Sequence, residues 1–147
     1  MTTAQNKEND VWTPILSGDV YCSPACGLKC TKSAYDRAVT EAEALAKRMG
    51  DGWSFEVWEN CGWHYRVKKG TMTIHTRISG RSHEDDGYKI NGYWVDFHPT
   101  DIQRGKYTKS VQFSAEAETP EDAVGFCVQD VRNLMHRIND ALLEVSE

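Results

Sequence analysis

The chain has 147 residues, of which 39% are hydrophobic and 27% charged; these values suit one folded domain and argue against disorder throughout. The net charge of -5 at pH 7 argues against a protein that binds nucleic acid through its overall charge. No apolar run approaches the ~20 residues that a membrane-spanning helix needs.

The first thirty residues are predicted to form two segments. Residues 1–10, MTTAQNKEND, are polar, and we expect a disordered tail without a targeting sequence. Residues 11–30 contain Trp12, Pro14 and Pro24, which indicates an ordered but irregular arm at the start of a single α+β domain spanning 11–147. We therefore expect a cytoplasmic protein, in which thiols stay reduced.

Residues 32–49 have the pattern of an amphipathic helix. Apolar side chains recur at steps of three and four from Tyr35 to Met49 and form one stripe. Thr31 or Ser33 can cap the start of this helix, and Gly50 suits its end.

The central part of the chain alternates apolar and polar residues, as strands do. The positions predicted to share one sheet face are Trp53, Phe55, Val57, Trp63, Tyr65, Val67, Met72, Ile74, Thr76, Ile78, Tyr93, Val95, Phe97, Val111, Phe113 and Ala115. The short links ENCG and KKG predict an antiparallel meander of about five strands. Two longer polar segments, SGRSHEDDGYKING and HPTDIQRGKYTK, are predicted to be loops.

A second helix is predicted from TPED at 119–122 to the end of the chain. Thr119 can cap it, Pro120 suits the first helical position, and the acids favour the first turn. One apolar face is formed by Val124, Cys127, Val131, Leu134, Met135, Ile138, Leu142 and Val145. Two such helices and one sheet predict a two-layer α+β sandwich, helix–meander–helix, with both helices on one sheet face.

Three cysteines in YCSPACGLKC suggest a structural metal site. Cys22, Cys26 and Cys30 have a spacing that suits paired zinc ligands, and Cys61 or His64 in the first hairpin is the predicted fourth ligand. Such a zinc ion would attach the arm to the hairpin. Buried reduced thiols and a disulfide are the alternatives.

Catalytic motifs are weak, and we expect a non-catalytic protein. The segments HEDDG at 83–87 and HPTD at 98–101 have the ligand types for a metal-dependent hydrolase, but polar loops have such compositions without any site. Cys61 and His64 are a conceivable nucleophile and base, without a predicted oxyanion hole.

The second face of the predicted sheet is a candidate binding surface. Alternation places Trp58, His64 and Arg66 on it, with Lys68 and Trp94 as further members. Aromatic and cationic side chains of this kind can anchor a protein partner or stack on bases. Alternatively, the arm covers this face with Trp12 and neighbouring apolar residues.

Basic residues are concentrated in the centre of the chain. Residues 62–109 hold nine basic and five acidic side chains, a net charge of +4, and the remainder of the chain carries -9. Arg81, Arg104 and Lys106 extend the candidate surface into the predicted loops. This charge would suit an acidic protein partner or, as the alternative function, a nucleic acid or nucleotide.

The stretches YCSPACGLKCTKSAYDRA and GDGWSFEVWENCGWHY, with the helix start TPEDAV, resemble small proteins of bacteriophages and prophages that carry a Cys-Ser-Pro-Ala-Cys motif. That family brings no assigned activity, so it implies no site residues. The resemblance implies a bacterial host cytoplasm. It also implies, by analogy, a protein that inhibits a host protein or defence complex.

Overall fold

The computed structural model describes residues 20–22, 29–59, 63–80 and 88–146. Their helices and strands are β1 Val20–Cys22, β2 Lys29–Thr31, α1 Lys32–Met49, β3 Ser54–Glu59, β4 Trp63–Lys69, β5 Met72–Gly80, β6 Tyr88–Arg104, β7 Tyr107–Ala117 and α2 Pro120–Ser146. The predicted α+β class is confirmed. Neither helix is both long and apolar enough to cross a membrane.

The main sheet is the predicted antiparallel meander. Its strand order is β3-β4-β5-β6-β7, so every neighbouring pair in the sheet is also consecutive in the chain. The β4–β5 turn has two residues, Gly70 and Thr71, and Gly70 has a φ of 58°, which favours glycine. β1 and β2 pair separately as a small hairpin.

One face of the sheet forms the core with both helices. The strand register aligns Phe55, Val67, Ile74, Val95 and Ala115 in a row across all five strands. Val67, Ile74 and Val95 are fully buried. They belong to the same hydrophobic core as the apolar residues of α1 and the first turns of α2. Both helices therefore lie on this face.

Helix α1 packs closely on β3 and β4 because its buried stripe is made mostly of small side chains. Ala34, Ala38 and Ala42 are buried and allow the helix backbone to approach the sheet. The ring of Tyr35 meets the ring of Trp63 edge-on, with 4.7 Å between centroids, a favoured aromatic geometry. These contacts fix α1 above the start of the meander.

Helix α2 begins as its sequence predicts, but only its first turns are buried. The backbone N–H of Asp122 donates to Thr119 Oγ1 at 3.1 Å, which satisfies one of the free donors of the helix end. Pro120, Ala123 and Cys127 are the buried residues of α2. From residue 132 to residue 146 every residue is exposed, although the apolar pattern continues.

One prediction about an irregular segment was wrong, and two lie mostly or wholly outside the described residues. The predicted tail, 1–10, is not described; of the predicted arm, 11–30, the structure describes residues 20–22 and 29–30, where Tyr21 pairs with Cys30 in a short hairpin. Residues 98–109 are almost entirely strand, because β6 and β7 continue to a tight turn at Gly105 and Lys106. The register shifts between Phe97 and Thr100, around Pro99, and a proline is tolerated at such an irregularity.

Candidate binding surface on the open sheet face

The side chains that point away from both helices form what we call the outer face of the sheet. The register aligns one row across the five strands, Glu56, Arg66, His75, Trp94 and Glu116. A second, parallel row contains Ser54, Lys68, Thr73, Asp96 and Ser114. The outer face is therefore a flat array of aromatic and polar side chains.

One aromatic cluster lies where β3 pairs with β4. Trp58 and His64 are cross-strand partners, and their rings stack with 5.8 Å between centroids. The Arg66 guanidinium lies 5.2 Å from the Trp58 ring centroid, a cation–π arrangement. Arg66 Nη2 is also 2.9 Å from Glu56 Oε2, so Arg66 is held between a ring and a carboxylate.

A second aromatic cluster surrounds Asp96 on β6. The Asp96 carboxylate accepts hydrogen bonds from Ser114 Oγ at 2.7 Å, Gln112 Nε2 at 3.0 Å and Trp94 Nε1 at 3.1 Å. His75 Nε2 lies 3.5 Å from the other carboxylate oxygen. Trp94 is 42% exposed, yet its indole N–H is fixed by Asp96. This residue is an ordered aromatic ring that faces solvent.

The two titratable groups of this cluster, His75 and Asp96, both have pKa values below their ordinary ones. Burial lowers the pKa of His75, with a further contribution from Arg66, although the Asp96 carboxylate acts in the opposite direction. Burial alone would raise the pKa of Asp96, but hydrogen bonds from Ser114 and Gln112 bring that pKa below its usual range. At neutral pH, Asp96 is therefore charged and His75 is neutral.

The outer face is nearly neutral overall, despite the basic centre of the sequence. Arg77 forms an ion pair with Glu116, and Lys68 Nζ lies 3.8 Å from Glu56 Oε2. Among the described side chains of this face, three are basic (Arg66, Lys68, Arg77) and four are acidic (Glu56, Asp96, Asp101, Glu116). Balanced charge of this kind suits a mixed protein surface better than a phosphate backbone.

The structure brings together five of the eight residues predicted to bind a partner. Trp58, His64, Arg66, Lys68 and Trp94 share the outer face. Arg81 lies outside the described residues, as does the side chain of Arg104. Lys106 lies at the β6–β7 turn. It is eight residues from Ser114, the register partner of Asp96, which is roughly 26 Å along β7. Lys106 therefore belongs to a different surface.

The proposed metal ligands lie mostly outside the described part of the chain. Cys26 and Cys61 are not described, and of Cys22 and Cys30 the structure describes only the backbone. The hairpin register pairs Cys22 with Lys29 rather than with Cys30. Within the side chains that the structure does describe, no three His, Cys, Asp or Glu residues are grouped closely enough to hold a metal ion. The zinc site stays a prediction.

The residues of the alternative hydrolase site also lie partly outside the described part of the chain. HEDDG at 83–87 lies outside the described residues, whereas His98 and Asp101 lie in β6 and are exposed. The backbone N–H of His98 donates to the carbonyl of Thr71 at 3.1 Å, so this segment is tied to the β4–β5 turn.

Sequence reasoning missed residues that surround Trp94 on the outer face. His75, Asp96 and Ser114 lie in the Asp96 cluster, but their sequence positions carry no motif. The signal was nonetheless present, because strict alternation with Ile74, Val95 and other core residues puts them on the face of Trp94. These residues come together because neighbouring strands pair, and the pattern within one strand does not show which residues its neighbour places beside it.

No protein-family model, curated protein or solved structure matches this chain. The function of the outer face is therefore inferred from its own chemistry.

Proposed function

We propose that this protein is a non-catalytic binding module that holds a protein partner against the outer face of its sheet. Trp58 and Trp94 are its two anchors. The observation that carries the proposal is that Trp94 is 42% exposed while Asp96 fixes its indole N–H, so a large ring faces solvent in a defined orientation. Little conformational entropy is lost when such a ring is buried by a partner.

The surroundings of the two tryptophans fit a protein interface. Energetically dominant interface residues are enriched in tryptophan and arginine. Arg66 stacks on Trp58 in one cluster, and His75 contacts Trp94 in the other, with 6.3 Å between ring centroids. The β3 and β6 backbones are three strand spacings apart, about 14 Å, a separation that one partner segment can bridge.

The sequence resemblance directs the search for this partner to bacterial proteins. We propose that the module acts by occupying a host protein, in the way that a small phage-encoded inhibitor would. The near-neutral outer face supports a protein partner over nucleic acid, because phosphate recognition needs a surplus of basic side chains.

The test compares tryptophan variants with a matched variant elsewhere. Wild-type protein, Trp58→Ala, Trp94→Ala and Phe126→Ala are immobilised and exposed to bacterial lysate, and each captured protein is purified for calorimetry. Phe126 is an exposed aromatic residue of α2 and does not belong to the outer face. We expect one protein to bind wild type and Phe126→Ala equally, with affinity reduced about 30-fold or more by Trp94→Ala, the effect of losing a hot spot.

Two results would oppose the proposal. Equal binding by wild type and both tryptophan variants would place the partner elsewhere on the molecule. Binding of DNA or RNA oligonucleotides at low salt, reduced by Lys68→Glu and Lys69→Glu, would instead support the nucleic-acid function.

A further inference from the structure

One tryptophan of the outer face is paired with a cation from its own chain. The Arg66 guanidinium lies over the Trp58 ring, 5.2 Å from its centroid. Arg66 Nε and Nη2 lie 3.0 Å and 2.9 Å from Glu56 Oε2, so a carboxylate holds the cation in place. The Trp58 cluster therefore consists of an indole ring, a guanidinium and a carboxylate.

The cluster around Trp94 has a ring and a carboxylate, but among the described residues no basic side chain lies over this ring. Trp94 is 42% exposed. Its indole N–H donates to Asp96 Oδ1 at 3.1 Å, which fixes the ring beside the carboxylate. The faces of an indole ring carry partial negative charge and attract cations more strongly than those of other aromatic side chains.

The charge of Asp96 is stabilised by neutral groups. Its hydrogen-bond donors, Ser114, Gln112 and Trp94, carry no charge. His75, which lies 3.5 Å from the other carboxylate oxygen, is neutral at neutral pH because burial lowers its pKa. In the described part of the chain, Asp96 forms no ion pair with lysine or arginine, although its side chain is only 16% exposed.

The other charges beside Trp94 cancel each other. Glu116 is the register partner of Trp94 on β7. Arg77 extends from β5 to place Nη1 at 2.5 Å from Glu116 Oε2. Asp96 therefore gives the surroundings of the Trp94 ring a net negative charge.

We propose that Trp94 receives a cationic side chain, arginine or lysine, from the protein partner, with Asp96 as its counter-charge. This inference rests on the proposed function of the outer face and adds the kind of residue that the partner presents. Arg66 shows the same arrangement within the chain, where a guanidinium lies between the Trp58 ring and Glu56. Such contacts become stronger when a partner excludes water from them.

Other kinds of side chain suit this position less well. An apolar group over Asp96 would remove water from a charge without supplying a counter-ion, which is costly. An acidic group would be repelled by the same carboxylate. A cationic group avoids both penalties and also uses the face of the Trp94 ring.

Nuclear magnetic resonance of the tryptophan indole N–H groups tests the proposal without the partner. The chain has five tryptophans, and the Trp94 and Trp58 signals are identified by their loss in Trp94→Phe and Trp58→Phe. The protein is titrated at constant ionic strength with N-acetyl-arginine amide or with its citrulline counterpart, which has a similar shape but no charge. The Trp94 signal should shift with the arginine probe and much less with the citrulline probe. Trp58 is the internal control, because Arg66 already lies over its ring.

Two matched variants test the counter-charge. Asp96→Asn should weaken binding of the arginine probe at least several-fold, although the amide keeps an oxygen that can accept the hydrogen bond from Trp94. Asp101→Asn removes the same charge from an exposed position farther along β6 and should leave the titration unchanged. If Asp96→Asn does not fold, the comparison of the two probes on the wild-type protein still decides.

Three results would overturn the inference. They are no shift of Trp94 with the arginine probe, equal shifts with both probes, or equal shifts of Trp58 and Trp94. Equal weakening by Asp96→Asn and Asp101→Asn would likewise replace a specific counter-charge with a general effect of protein charge.

The titration also separates this inference from the proposed function. A partner whose binding depends on Trp94, together with no response to the arginine probe, would keep the proposed function and overturn the cationic anchor. A response to the arginine probe without any captured partner would support the cation site and oppose the proposed function.

Discussion

Arg48 and Glu121 form a two-pronged ion pair that joins the last turn of α1 to the first turn of α2. Arg48 Nε lies 2.6 Å from one oxygen of the Glu121 carboxylate, and Nη2 lies 2.8 Å from the other. Burial would raise the pKa of Glu121, but the hydrogen bond from Arg48 brings it below its usual value. The pair thereby bridges the two helices, which pack at opposite ends of the sheet.

We predict that the exchange Arg48→Glu with Glu121→Arg will restore only part of the stability that each single change removes. The exchanged pair regains its mutual attraction, but each charge then lies at the wrong end of its helix dipole. Because both side chains are about half exposed, each single effect should be small. Urea midpoints of the four proteins in a double-mutant cycle give the coupling. Full restoration by the exchange would show that the dipoles contribute nothing here.

His75 is predicted to make stability depend on pH below neutrality. Because the pKa of His75 in the folded protein is below the ordinary histidine value of about 6.5, the unfolded chain takes up a proton first as the pH falls. Stability should therefore decrease as the pH falls below about 6.5 and level off below the folded pKa of His75. The difference in urea midpoint between wild type and His75→Gln, followed from pH 7.5 to 5, isolates this contribution from the other histidines. Parallel curves for the two proteins would contradict it.

Two glycine-to-alanine changes should have opposite effects on stability. Gly70→Ala places a side chain at a φ of 58° in the β4–β5 turn, which should cost about 1–2 kcal/mol. Gly125→Ala lies within α2, where no atom beyond the neighbouring helix backbone comes within 4 Å of the added Cβ, and should stabilise the protein by up to about 1 kcal/mol. Thermal unfolding of both variants at equal concentration measures the pair. If both changes destabilised the protein, a clash or a local role of Gly125 would have to be sought.

The cysteine prediction is tested by native mass spectrometry of protein purified under reducing conditions without added metal. We expect one zinc ion per chain, lost in Cys26→Ser. Loss of zinc in Cys61→Ala but not in His64→Ala would identify the fourth ligand as Cys61. The His64 ring stacks on Trp58 on the outer face, which favours this result. A metal-free protein that is otherwise folded would return these cysteines to packing or disulfide roles.

Local sequence patterns predicted most of the fold. The steps of three and four from Tyr35 to Met49, with a stop at Gly50, gave the bounds of α1. The ENCG and KKG links indicated hairpins, and the period of two assigned Trp58, His64 and Arg66 to one face. These features depend on residues that are close together in the chain, so they can be predicted from a single sequence.

Features that depend on distant neighbours were not predictable in the same way. The extension of β6 through residues 98–104 was not predicted because residues 98–101 are exposed and Pro99 interrupts the pattern. The stripe of α2 gave the correct helix, but its periodicity is the same whether the helix faces its own sheet or extends beyond it. Only the structure shows that burial stops at Cys127. The Asp96 cluster likewise required strand pairing to bring Ser114 to it.

The meander also has a consequence for how quickly the chain can fold. Each of the four pairings in the main sheet joins strands that follow one another in sequence, and two of the turns contain only two residues. Little loop-closure entropy is therefore lost when each hairpin forms, so the search for native pairings is short. Such a topology should fold faster than a β-sandwich of similar size, in which strands distant in sequence must first meet.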